Sequence, residues 1–341
     1  MQKNRSKNHR NIFIINRQEI ILIITGVVLI TFAFFVIRPL LTNYFYWRIL
    51  NPENLIAQNY DQVDRLLNAY RPIRNWSVPE PDLDLYAASA IEIRLDGSVK
   101  NLLARNADHP YIIASITKLM TAIVAIDLFE LDQQVTISRE ASDQDGQVGI
   151  LKEGDYLNVK NILYLMLMES NNGAAYALAE NRGVTAFINE MNKKAILLGL
   201  DNTTFVTPSG LNGSNGMGNR STAHELTQLI AYLWQDQDYE IIRSILATNT
   251  YPIYDETSAF YYRVINNNQL LGYYSELEGG KTGYLPAAGE CLISVFKMKD
   301  IDTHLVIVVL GSKNRFEDTK KIVEWLPKAY LYSSNYYGFR N

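Results

Sequence analysis

Hydrophobic and polar positions along this chain fall into successive regimes. Ile20 to Ile37 (IILIITGVVLITFAFFVI) is an apolar run of 18 residues without a charge. That length suits a helix crossing a hydrocarbon core of about 30 Å. Helical spacing follows over Asn43 to Tyr70, with Leu55, Ile56, Val63, Leu66 and Leu67 on one face, until Pro72, Pro79 and Pro81 interrupt it. Tyr86 to Arg94 and Val99 to Ala104 are β-prone runs flanking Asp96-Gly97, a hairpin pattern. Ser115 to Leu128 is apolar on most sides and predicts a buried helix. Val159 to Glu169, Gly173 to Glu180 and Val184 to Leu198 also read as helices. Thr222-Ala223-His224-Glu225 has capping-box spacing, which starts a helix running to about Trp234. Past Gly279-Gly280 the pattern turns to strands at Cys291 to Met298 and His304 to Leu310. A last helix, Asn314 to Leu326, stops near Pro327. The order predicts an α+β fold: a sheet built from both ends of the catalytic region, with a helical region inserted between them.

Charge adds topology. The 341 residues carry a net charge of −4 and are 48% hydrophobic, enough for a sizeable core. Residues 1–19 hold Lys3, Arg5, Lys7, Arg10 and Arg17 against one acid, Glu19, so the remainder is more acidic than the whole. A basic stretch before an apolar run predicts a cytoplasmic N-terminus. No small-residue cleavage signal follows, which favours an uncleaved anchor over a removed signal peptide. The expected organisation is a cytoplasmic tail (1–19), a transmembrane anchor in the lipid bilayer (20–37), a membrane-proximal stalk (38–80) and an extracytoplasmic catalytic domain (81–341). The acidic body argues against nucleic acid as a partner. Cys291 is the sole cysteine, which excludes an intramolecular disulfide and a cysteine-rich zinc site. Its β-prone surroundings suggest a small buried apolar role.

The candidate chemistry lies in three short motifs. Ser115-Ile116-Thr117-Lys118 puts a hydroxyl and an amine on one helix face. At the start of the helix, Ser115 meets the positive end of the macrodipole. Lys118 lies among apolar neighbours, and desolvation lowers an amine's pKa until it can serve as a base. Ser170-Asn171-Asn172 supplies a second hydroxyl and an amide between two helices, and Lys281-Thr282-Gly283 a second cation beside a flat stretch of backbone. Each motif alone is weak; their joint occurrence in this order is specific. Alternatives fit less well. Of four histidines, His9 precedes the apolar run and His224 sits in a capping box. No Gly-x-Ser-x-Gly elbow accompanies His109 or His304, and there is no His-Glu-x-x-His zinc motif or phosphate loop.

At these motifs the sequence resembles the low-molecular-mass penicillin-binding proteins, specifically the serine-type D-alanyl-D-alanine carboxypeptidases. The similarity spans roughly residues 85–312. It includes Ala114 to Thr121 (ASITKLMT), Phe205 to Leu211 (FVTPSGL) and Gly280 to Gly289 (GKTGYLPAAG). The resemblance implies a β-lactamase/DD-peptidase-like fold, no cofactor or metal, a peptidoglycan stem peptide as substrate and β-lactams as inhibitors. It implies Ser115 as nucleophile, Lys118 as general base and Ser170 as proton relay. Asn172 would hold the substrate amide, and Lys281 and Thr282 its terminal carboxylate. Gly283 would leave room for the substrate along the strand, and the backbone N–H groups of Ser115 and Tyr284 would flank the oxyanion. Departures from the family pattern are Asn171, where Gly is usual, and Gly173, where Asp is frequent. A β-lactamase, a non-hydrolytic penicillin sensor and a D,D-endopeptidase remain alternatives; no Glu-x-x-Leu-Asn-like segment supports the first.

Overall fold

The computed structural model describes residues 72–94, 97–146, 151–214, 216–254, 259–298 and 303–331, with three isolated positions before them. The expected basic tail, membrane anchor and amphipathic stalk helices therefore lie outside the described residues, as does Asp96 of the predicted turn. No described helix is long and apolar enough to cross a membrane.

A five-stranded antiparallel sheet is the frame. Its strands are β1 (Ala87–Ile93), β2 (Val99–Arg105), β3 (Leu277–Leu285), β4 (Gly289–Lys297) and β5 (His304–Ser312), in the order β3-β4-β5-β1-β2. The two ends of the region thus meet where β5 pairs with β1, Val308 opposite Ser89. β4 and β5 are buried along nearly their whole length, which requires cover on both faces. Their apolar side chains supply the material: Leu292, Ile293, Val295, Val306, Ile307 and Val308 are all buried.

The helices are α1 (Lys118–Leu128), α2 (Val159–Met168), α3 (Asn172–Arg182), α4 (Val184–Leu197), α5 (Ala223–Gln235), α6 (Glu240–Ala247) and α7 (Arg315–Ala329). α5 packs on β1 and β5, α7 on β4 and β5, and α6 on β3. α1 is enclosed by α2, α3 and α4, so its apolar character on most sides is satisfied. Starts are set by side-chain caps. Asn158 accepts from Asn161 N at 2.8 Å, Thr222 from Glu225 N at 3.0 Å and Asn314 from Glu317 N at 3.2 Å. Asn171, the departure inside the second motif, caps α3 by accepting from Ala174 N at 2.7 Å.

Some boundaries differ from the pattern reading. α7 continues past Pro327 to Ala329. Ser115 does not open α1; it sits in one 3-10 turn, Ala114–Thr117, leading into it. Ile73–Arg74, read from sequence as the end of the stalk, pairs with Tyr330–Leu331 and is tied to α7, where Trp325 Nε1 donates to Pro79 O at 2.7 Å.

Candidate active site

The nucleophile turn is fixed from three directions. Below it, Asn219 is fully buried; its amide nitrogen donates to Thr117 Oγ1 at 2.8 Å and its oxygen accepts from Val206 N at 2.7 Å. That one side chain ties the FVTPSGL segment to the Ser-x-x-Lys turn. Beside it, Gly210 adopts φ +91°, and a Cβ there would lie 2.0 Å from Ala114 O. Only glycine permits both this conformation and this approach. On the sheet side, a Cβ on Gly283 would lie 3.1–3.2 Å from Ile113 O, Ser115 N and Ile116 N. The missing side chain of Gly283 thus lets edge strand β3 close onto the nucleophile turn. The space was expected to hold substrate; nucleophile backbone takes it instead.

Lys118 is wholly buried. Its Nζ donates to Ser115 Oγ at 2.9 Å, Asn172 Oδ1 at 2.7 Å and Ser209 O at 2.6 Å. Burial, and then the charge of Lys281, push its pKa well below the usual lysine value. A neutral amine has a lone pair, and the nearest hydroxyl for it to meet is that of Ser115. Ser170 sits at φ +64° in the junction between α2 and α3, so the chain turns sharply there and presents its hydroxyl to Lys281, whose Nζ donates to it at 3.0 Å. Lys281 Nζ also donates to Thr282 O at 3.0 Å, and burial followed by the Arg315 charge lowers its pKa to about 7.

Ser115, Ser170, Asn172, Thr282, Gly283 and Tyr284 line one cleft of about 380 Å³, with Lys118 and Lys281 in its floor. All three predicted motifs therefore converge. Other contributors escaped the sequence reading. Asn267 accepts from Thr282 Oγ1 at 2.7 Å and donates its backbone N–H to Met168 O at 3.0 Å, linking the second and third motifs. Arg315, first residue of α7, lines the cleft and donates to Gly283 O at 2.8 Å. Glu169 lines it too, buried, accepting from Ile265 N at 3.0 Å and Tyr262 Oη at 3.1 Å; burial raises its pKa. An arginine beside an N-terminal Asn cap was a legible signal for Arg315. Asn267 and Asn219 carry no local signature, because their partners are far away in sequence. Among the described residues, no group of three His, Cys, Asp or Glu side chains could hold a metal ion.

A serine whose hydroxyl meets a buried lysine, opposite a second hydroxyl backed by a second lysine, defines a serine acyl-transfer enzyme with an amine base. The sequence profile of the D-alanyl-D-alanine carboxypeptidase family matches residues 76–314, and the chain belongs to that family. Over 233 residues it is 33% identical to a D-alanyl-D-alanine endopeptidase of Pseudomonas aeruginosa, covering 67% of this chain and 73% of that one. It is 30% identical over 252 residues to a D-alanyl-D-alanine carboxypeptidase of Bacillus subtilis, 72% of this chain and 62% of that protein. Penicillin-binding protein D2 of Listeria monocytogenes, solved with cefotaxime bound, superposes with a TM-score of 0.63 at 27% identity, over 73% of this chain and 99% of that one.

Proposed function

We propose that the enzyme removes the terminal D-alanine from peptidoglycan stem peptides through an acyl-enzyme on Ser115. Lys118 takes the hydroxyl proton as Ser115 Oγ bonds to the carbonyl carbon of the penultimate D-alanine. The C–N bond then breaks, and the leaving amine receives a proton by way of Ser170 and Lys281. Water, deprotonated by the same lysine, adds to the ester and frees Ser115. Lys281, Thr282 and the field of Arg315 receive the substrate's terminal carboxylate. The remaining N–H of Asn172 reaches the substrate backbone, since its oxygen serves Lys118 and its nitrogen already donates to Asp145 O at 2.6 Å. Donors placed at a developing oxyanion, here the N–H groups of Ser115 and Tyr284, are each worth about 3–4 kcal/mol in such reactions. β-Lactams enter by the same attack and remain on Ser115.

The observation that carries this reading is the 2.9 Å contact between a fully buried, pKa-depressed Lys118 amine and Ser115 Oγ. The test is D-alanine release and fluorescent-penicillin labelling by the fragment from residue 72, beside Ser115→Ala. Substitution is expected to abolish labelling and to cut release at least about a thousandfold. Unchanged release in Ser115→Ala would remove the mechanism. Endopeptidase action on cross-links is a second reading, favoured by the Pseudomonas relative's name. Digesting cross-linked and linear muropeptides side by side separates the two.

The same proposal places the basic N-terminal tail in the cytoplasm, residues 20–37 in the bilayer and the catalytic region outside it. The apolar run and the five cations before it support that placement. Protease added to intact cells is expected to digest the catalytic region; protection would reverse the orientation.

A further inference from the structure

Beside the catalytic cleft lies a second cavity, of about 480 Å³. Leu211 and Leu285 line both, so the two spaces adjoin across those side chains. Ile188 of α4 and Val206 add further apolar wall, and Tyr176 of α3 adds an aromatic one. Asp143 and Asp145 form the lip. No lysine or arginine lines this cavity, although Arg139 Nε approaches the Asp143 carboxylate at 3.5 Å. The catalytic cleft has the opposite character at its Lys281 end, where Arg315 and Lys281 stand. Both sides of the second cavity are tied to catalytic residues: Ser209 O accepts from Lys118, and Asp145 O accepts from Asn172.

The direction of β3 orders the two spaces. Lys281 and Thr282 come first, Gly283 lies against the Ser115 turn, and Leu285 stands at the shared boundary. A peptide whose carboxylate meets Lys281 and whose carbonyl meets Ser115 extends its acyl side toward Leu285. Two strand residues span about 7 Å, the reach of one or two extended substrate residues. We propose that this cavity is the acyl-side subsite, taking a long aliphatic side chain that ends in an ammonium, one or two residues upstream of the scissile bond. Leu211, Val206, Ile188 and Leu285 would pack along the methylenes, and the aspartates at the lip would meet the cation. The inference rests on the substrate orientation of the preceding subsection.

The test uses three peptides, Nα-acetyl-Xaa-D-Ala-D-Ala, with Xaa lysine, norleucine or alanine. In the wild-type fragment, kcat/KM for D-alanine release is expected to fall about threefold from lysine to norleucine, as for a partly exposed charge pair, and about tenfold further to alanine, as for lost methylene burial. The double variant Asp143→Asn/Asp145→Asn, which alters only the lip, should erase the lysine advantage and keep the norleucine one. Val206→Trp, which fills the cavity, should bring all three peptides to the alanine level without changing the alanine rate. Equal rates for lysine and alanine in the wild type, or a lysine advantage that survives the double variant, would overturn the subsite. Calorimetric binding of the same peptides to Ser115→Ala reads the preference without turnover. A preserved lysine preference there, with no D-alanine release by the wild type, would uphold the subsite and sink the proposed reaction instead.

Discussion

Lys118 and Lys281 occupy one interior, and the reaction asks opposite charge states of them. Lys118 must be neutral to accept a proton, whereas Lys281 must be charged to hold a carboxylate. Burial lowers both pKa values, with Lys281 at about 7. The rate constant for penicillin acylation is therefore expected to decline as pH rises through about 7, as Lys281 loses its proton. Its rising limb, set by Lys118, lies well below the usual lysine range. In Lys281→Met the cation that helps depress Lys118 is gone, so the rising limb should move to higher pH and the decline near 7 should disappear. A rising limb left in place would refute this coupling. Linkage gives a second readout. A lysine whose folded pKa lies below its unfolded value makes the unfolded state the better proton binder between about 7 and the model value of 10.5. Its contribution to stability therefore grows with rising pH across that window. The urea midpoint of Lys281→Met should gain less between pH 7 and 9 than that of the wild type. The motif residues were legible in the sequence because each motif packs its chemistry within four positions or fewer. Asn219, Asn267 and Glu169 were not, since a lone Asn or Glu in a loop looks the same whether it caps water or holds a distant strand.

Elements place these side chains through close backbone approach. The strictest instance is Gly210 against Ala114 O, and it yields a prediction. Gly210→Ala is expected to cost at least about 2 kcal/mol and to depress acylation together with stability. Gly199→Ala is the control. Its φ of +69° is also left-handed, but nothing lies within 4 Å of the added Cβ, so only about 1 kcal/mol is expected. Equal losses in urea unfolding would show that the clash with the nucleophile turn is relieved elsewhere. The long helices and the hairpin β1–β2 were readable from periodicity and caps, because repeated burial of one face leaves a repeated mark. Two-residue strands such as Ile73–Arg74 leave none. Pro327 misled as a stop signal: it occupies the last turn of α7, where its missing N–H removes one hydrogen bond but the following residues still complete the turn. The role of Gly283 was also hidden, since sequence cannot tell which side of a glycine a neighbour fills.

At the scale of the whole molecule, the first and last described strands close the catalytic region. Ile73 lies opposite Leu331, and the Arg74 guanidinium sits 5.0 Å from the Trp325 ring and 5.7 Å from the Tyr330 ring. A fragment beginning at residue 81 loses this ribbon and the Trp325–Pro79 hydrogen bond. It should unfold at lower urea than the fragment from residue 72, by about 1–3 kcal/mol, with penicillin labelling retained under native conditions. Matching midpoints would make the ribbon an accessory. The family-wide sheet was foreseeable from strands at both ends of the region; this extra closure was not. Cys291 adds a practical dividend. The protein's one thiol faces Gly283 across the β3–β4 ladder, fully enclosed, with burial raising its pKa to about 11. Maleimide chemistry on the native fold should thus find a silent background, and a cysteine engineered at the rim of the cleft would carry the only dye in the molecule.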